Sequence, residues 1–167
     1  MLRPMAQQLL NVLLSAALLM GAATAAHAGE GAAITVYRSA SCECCTAWEN
    51  HLSTDGFAVT DVVSDNLGPV KSSHGITAEL ESCHTALMEG YVIEGHVPAS
   101  AIQSLLRAKP SIRGLTAPGM PMGSPGMDGE GITPEPFDVL AIDTDGGTQV
   151  FERYIPHPGT AVKSSPD

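Results

Sequence analysis

Three of the four cysteines stand within four residues, as Cys42-Glu43-Cys44-Cys45, after the apolar run Ile34-Thr35-Val36-Tyr37. The fourth stands in Ser82-Cys83-His84-Thr85. Crowded thiols are suited to holding a soft metal ion and to exchanging disulfides. Adjacent cysteines pair only in a strained ring, and a disulfide needs its Cα atoms several ångströms apart. The cluster is therefore a poor match to a simple disulfide scheme. Cys42 and Cys45 do meet the Cys-x-x-Cys spacing of a thiol-disulfide redox site. Cys44 would compete as a nucleophile there, yet it is a natural third ligand for a metal. An ordinary disulfide from this group to Cys83 is the plainer alternative.

Other candidate donors surround these thiols in sequence. His84 follows Cys83 directly, and thiolates with imidazole suit Cu(I) or Zn(II). A hydrogen-bonded core or surface histidine is its bland alternative. His96, in Glu94-Gly95-His96-Val97-Pro98, is a further candidate ligand, with a supporting donor or a loop residue as the other readings. Met120, Met122 and Met127 lie in a Gly/Pro-rich stretch that exposes them. Thioethers are soft ligands that favour Cu(I), so these methionines tilt the metal choice to copper over zinc. A flexible lid packing its methionines on the domain is the competing reading. His51 is expected to face solvent, and His74 and His157 look incidental. No Gly-rich segment has the Lys-Ser/Thr of a phosphate loop, and no serine sits in a nucleophile elbow.

To bring Cys83 to the first three cysteines, the chain needs elements that return to one place. Ile34 to Arg38 reads as a strand and Cys44 to Asp55 as a helix stopped by Gly56. Cys44 and Cys45 would then open a helix, where amide groups and the dipole favour thiolate. Phe57 to Val63 reads as a second strand, and Leu67 to His74 as a short helix with Pro69 in its first turn. Thr85 to Met88 and Tyr91 to Ile93 flank the turn Glu89-Gly90. Pro98 to Ala108 reads as a helix with Pro98 near its start and Pro110 past its end. Ala117 to Pro136 is too rich in Gly and Pro for helix or central strand. Phe137 to Ile142 and Thr148 to Tyr154 form a second hairpin around Asp145-Gly146-Gly147. The expected fold is α/β and thioredoxin-like, a βαβ–ββα core with an added Met/Gly/Pro-rich loop and a C-terminal β-hairpin. Thioredoxins place a cis-proline before the third strand, whereas here that slot reads Ser82-Cys83-His84-Thr85.

The bulk composition sets the compartment and excludes some partners. Arg3 is the only charge before the apolar stretch Leu9 to Ala26, which ends in Ala26-His27-Ala28. This pattern predicts a signal peptide over 1–28, cut after Ala28, and a periplasmic protein with no stable membrane insertion afterwards. A retained membrane anchor is the alternative. Residues 29–154 make one domain's length, and 155–167 read as a disordered tail. The formal net charge of -10 argues against nucleic acid as a partner.

The motifs taken together resemble a known family. Val36-Tyr37-Arg38-Ser39 through Cys42-Glu43-Cys44-Cys45, Ser82-Cys83-His84-Thr85-Ala86 and Gly90-Tyr91-Val92-Ile93-Glu94-Gly95-His96-Val97-Pro98 are similar to CopG-type periplasmic copper-resistance proteins. Arg113-Gly114-Leu115, Pro118-Gly119-Met120-Pro121, Gly123-Ser124-Pro125-Gly126-Met127 and Phe137-Asp138-Val139-Leu140 extend the likeness. Glu43 stands where glycine is common in that family. The resemblance implies a thioredoxin-like fold binding copper through Cys42, Cys44, Cys45 and Cys83, with His84 and His96 carried over less firmly. It also implies a copper-resistance role, with Cu(I)/Cu(II) interconversion as a candidate activity. Crowded thiolates bridge, so several Cu(I) ions per chain are expected. Turnover would need an electron donor, and other periplasmic copper-handling proteins are candidate partners. A thiol-disulfide oxidoreductase using Cys42 and Cys45, and a zinc module without turnover, are the alternatives.

Overall fold

Apolar residues alternate along Ala33–Arg38, and this first strand, β1, buries Ile34 and Val36 on one side. The computed structural model describes residues 31–156. The expected signal peptide, its cut after Ala28 and the tail from 157 lie outside the described residues. Helix α1 spans Glu43–Thr54 and turns Cys45, Trp48 and Leu52 inward. Strand β2, Ala58–Val63, runs parallel to β1. Helix α2 is the short segment Gly68–Ser73, with Pro69 in its first turn where no amide is needed. Strands β3, Thr85–Met88, and β4, Tyr91–Gly95, form the expected hairpin. Helix α3, Ala99–Ala108, starts after Pro98 and buries Ile102 and Leu105. Strand β5 is Gly114–Ala117, β6 is Phe137–Ile142 and β7 is Thr148–Tyr154.

These strands form one mixed seven-stranded sheet in the order β2-β1-β3-β4-β5-β6-β7. The fold is α/β, with parallel crossovers through α1 and through α3. Side-chain alternation splits the packing between the two faces. Trp48, Leu52, Ile102 and Leu105 join Ile34, Val36, Ile93 and Leu115 in the main core. Val92 and Ile142 face the other way and pack with Ile76 and Leu80 in a smaller cluster. Full burial of each large apolar side chain contributes about 1.5–3 kcal/mol. No helix among the described residues is long and apolar enough to cross a membrane.

Topology already brings the chemistry to one end of the sheet. β3 runs antiparallel to β1, and Thr85 pairs with Tyr37. The segment leading into β3 therefore lies beside the loop leaving β1. Thr85 also pairs with Glu94, so the exit of β4 lies there too. β5 runs parallel to β4 with Gly95 opposite Ala117, which starts the Gly/Pro-rich loop at the same end.

β5 was not expected, because Gly114-Leu115-Thr116-Ala117 is short and lacks polar alternation. All four residues are buried, as suits a strand covered on both faces. Gly114 has no room for a side chain, since a Cβ there would lie 1.8 Å from the Val92 carbonyl oxygen. Gly114→Ala is expected to cost about 1–3 kcal/mol by forcing β4 and β5 apart. Urea unfolding checks this, and wild-type stability in the variant would contradict the tight β4–β5 approach.

Candidate metal centre

Cys42 sits just before α1 with φ -87° and ψ 89°, and Cys45 faces inward from the first turn. The two Cα atoms are 5.3 Å apart, and the sulfurs are joined in a disulfide. This corrects the expectation that the cluster has no simple pairing. At the start of the helix this i, i+3 pair has the Cα spacing that a disulfide requires. Cys44 and Cys83 remain free thiols.

All four sulfurs nevertheless lie within 4.8 Å of one another. Cys44 Sγ is 3.5 Å from Cys42 Sγ and 3.9 Å from Cys83 Sγ. Cys83 Sγ also belongs to a second group with His84 and His96, whose donor atoms meet the same 4.8 Å limit. It lies 3.0 Å from His96 Nε2 and 3.3 Å from His84 Nδ1. The sulfur thus links a sulfur-only group to a sulfur–nitrogen group.

Protons can be placed from the hydrogen bonds. His96 Nδ1–H donates to the Pro125 carbonyl at 2.8 Å, leaving Nε2 to accept from the Cys83 thiol. Pro125 so orients the ring and fixes its tautomer, as a carbonyl does for a metal-binding histidine. With the thiol proton directed at His96, His84 Nδ1–H points to the sulfur and Nε2 keeps a bare lone pair. That Nε2 is buried and is the only such side-chain nitrogen or oxygen without a hydrogen-bond partner among the described residues. Burying an unpaired polar atom is costly. With Nδ1 3.3 Å from a soft sulfur, the imidazole fits a soft metal ion that would replace the Nδ1 proton.

Packing holds the two rings in place. His84 lies against Trp48 with centroids 4.3 Å apart, and its edge meets His96 at 4.9 Å. Trp48 Nε1–H donates to the Val97 carbonyl, tying α1 to the loop that carries His96. The Gly/Pro-rich loop covers α1 at Gly126, where a Cβ would lie 2.6 Å from the Cys44 carbonyl and 3.3 Å from His96 Nδ1. Burial pushes both histidines below the ordinary imidazole range. It also pushes the Cys83 thiol up to about 12, helped by the neighbouring Cys44. In the metal-free centre Cys83, His84 and His96 are therefore neutral, and a metal must expel the Cys83 proton to bind there.

The structure thus gathers Cys42, Cys44, Cys45, Cys83, His84 and His96. It leaves Met120 and Met122 exposed on the loop, with no described contact to the sulfurs. His51 is half-buried rather than solvent-facing, because its Nε2 accepts the Ala99 amide at the start of α3. Pro125 was missed as a partner of His96. The contact is a backbone carbonyl, and its only trace in sequence is the repeated Pro-Gly-Met pattern.

In a Cys44→Ser variant the Cys42–Cys45 disulfide leaves Cys83 as the single free thiol. Its alkylation in the metal-free protein is expected to be slow near about pH 8 and still rising at about pH 10, past the ordinary thiol range. Levelling off below about pH 9 would contradict the buried, neutral state of Cys83.

Comparison with known proteins places this arrangement. A family described as a protein of unknown function, DUF411, matches residues 80–127. No curated protein sequence matches significantly. A solved structure of copper resistance protein CopG, form 1, is 39% identical, covers 76% of this chain and 100% of its own, and superposes with a TM-score of 0.71. Form 2 is 40% identical, covers 75% of this chain and 99% of its own, with the same TM-score of 0.71. At that identity and coverage, the chain belongs to the CopG family of copper resistance proteins.

Proposed function

We propose that this chain is a periplasmic copper-resistance protein that takes up Cu(I) as cargo in a cluster of cysteine thiolates. The carrying observation is that Cys83 belongs both to a group of four sulfurs and to a group with two imidazoles. Cys42, Cys44, Cys45 and Cys83 are the proposed thiolate ligands, and His84 and His96 the nitrogen ligands. Shared sulfurs favour bridging, so several ions per chain belong to the proposal. Exposed Met120 and Met122 are proposed to offer softer donors on the covering loop. The names of the two similar structures support the choice of copper over zinc.

A thioredoxin-like frame is part of this reading. It is supported by the order β2-β1-β3-β4, with β1 and β2 parallel, β3 antiparallel to both its neighbours, and α3 following. Periplasmic residence is supported by the Ala26-His27-Ala28 pattern and the disulfide.

The disulfide gives the centre two states. Oxidised, it offers only Cys44 and Cys83 as thiols. Reduction adds two electrons and two protons and frees Cys42 and Cys45 for a full set of four. In reverse, closing the bond from two thiols releases two electrons and two protons, enough to convert two Cu(II) ions to Cu(I). Sustained Cu(I)/Cu(II) interconversion needs an external electron partner. A second reading, thiol-disulfide exchange by Cys42 and Cys45, is favoured by the same bond.

Anaerobic Cu(I) titration against a competing chelator separates the readings. The reduced protein is expected to take up several ions. The disulfide form should bind at least about tenfold more weakly, since half of the sulfurs are withdrawn. A variant with Cys42, Cys44 and Cys45 all changed to Ser should lose the uptake. Equal uptake by all forms would contradict the proposal, and metal-free disulfide turnover that survives Cys44→Ser would favour the second reading.

A further inference from the structure

The three residues Ser82-Cys83-His84 lie ahead of β3, which begins at Thr85. Outside any strand, their backbone is joined to the rest by an isolated bridge from Ser82 to Gly119 and by one hydrogen bond at His84. Yet Cys83 must sit at two fixed separations, one to sulfur and one to imidazole. Something other than a strand ladder has to hold it.

A buried charge pair does so. Glu94 is the fourth residue of β4 and is completely buried. Its Oε1 accepts the Ser82 amide at 2.7 Å, and its Oε2 accepts the Thr85 hydroxyl at 2.7 Å. One carboxylate thus grips the residues on both sides of Cys83-His84. Lys71 of α2 is also buried, and its ammonium group pairs with Glu94 Oε1 while donating to the Ser82 carbonyl at 2.8 Å. Beyond this clamp, the Gly95 amide donates to the His84 carbonyl at 3.0 Å.

Stability alone does not account for the pair. Taking two charges out of water is expensive, and a well-packed apolar pair often serves stability as well or better. What apolar side chains cannot do is bond the Ser82 amide, the Ser82 carbonyl and the Thr85 hydroxyl at once. We infer that Glu94 and Lys71 are positioning residues that fix Cys83 and His84 in the metal centre, acting through Ser82 and Thr85. The inference rests on the copper reading above for its consequence, but the clamp itself acts in the metal-free chain.

The test is a double variant, Lys71→Met with Glu94→Gln, which removes both charges at similar volume. Val139→Ala, a core truncation in β6, is the control for a general loss of stability. Cys83 alkylation is followed in the metal-free disulfide form of each, in a Cys44→Ser background. Cys83 should react several-fold faster in the double variant and at the wild-type rate in the control. With Cys44 restored, the reduced double variant should bind Cu(I) about 10–100-fold more weakly, the usual effect of losing groups that support metal ligands. Its sulfur-to-copper absorption band should shift as well. A wild-type alkylation rate in the double variant overturns the inference, whatever copper does. Should the wild-type protein bind no copper, the proposed function fails, while alkylation still decides the clamp. Amide exchange needs no variant: the Ser82 N–H of the wild-type chain should be protected although it lies outside a strand. Rapid exchange there would overturn the inference independently.

Discussion

The thiol of Cys83 touches both donor groups at once, Cys44 Sγ on one side and His96 Nε2 on the other. Most of the surrounding architecture is arranged around that double contact. If Cys83 pointed away from this end of the sheet, the sulfur group and the imidazole group would be separate. Antiparallel pairing of β3 with β1 brings the segment leading into β3 alongside the cysteine loop. Pairing with β4 then brings His96 to the same end. A sheet whose side chains alternate with a period of two has no tolerance for a one-residue slip here.

Burial sets the chemistry of the resting centre. Trp48 packs against His84 and Gly126 crosses the first turn of α1, burying both imidazoles and leaving Cys44 and Cys83 half-buried. Desolvation disfavours the charged forms of these three groups, so the Cys83 thiol keeps its proton and both imidazoles stay neutral. Soft sulfur donors, once deprotonated, favour a soft monovalent ion over hard divalent ones. The acidic surface of the chain adds a long-range pull on cations but no selectivity among them.

Much of this was legible in the sequence, for reasons that differ by residue. The Glu89-Gly90 turn between two apolar runs reads directly as a hairpin, and Pro98 and Pro110 bracket α3. The cysteine spacing identified the centre, and the paired motifs joined Cys83 to it. The Cys-x-x-Cys spacing of Cys42 and Cys45 offered their disulfide as an alternative, and the structure contains it. Two things were not legible. β5 is too short and too uniformly buried for its periodicity to show. The Lys71–Glu94 pair spans 23 residues in sequence. Its one local trace is a carboxylate inside the apolar run Tyr91-Val92-Ile93-Glu94, where a charge is out of place unless it is paired.

X-ray absorption at the copper edge of the reduced, Cu(I)-loaded protein tests the central claim, that sulfur and imidazole form one metal centre. The account predicts a sulfur-dominated first shell with copper–copper scattering and a histidine contribution that disappears when His84 and His96 are both changed to Ala. A shell of oxygen and nitrogen without sulfur would contradict it. So would a histidine contribution that persists in the double variant.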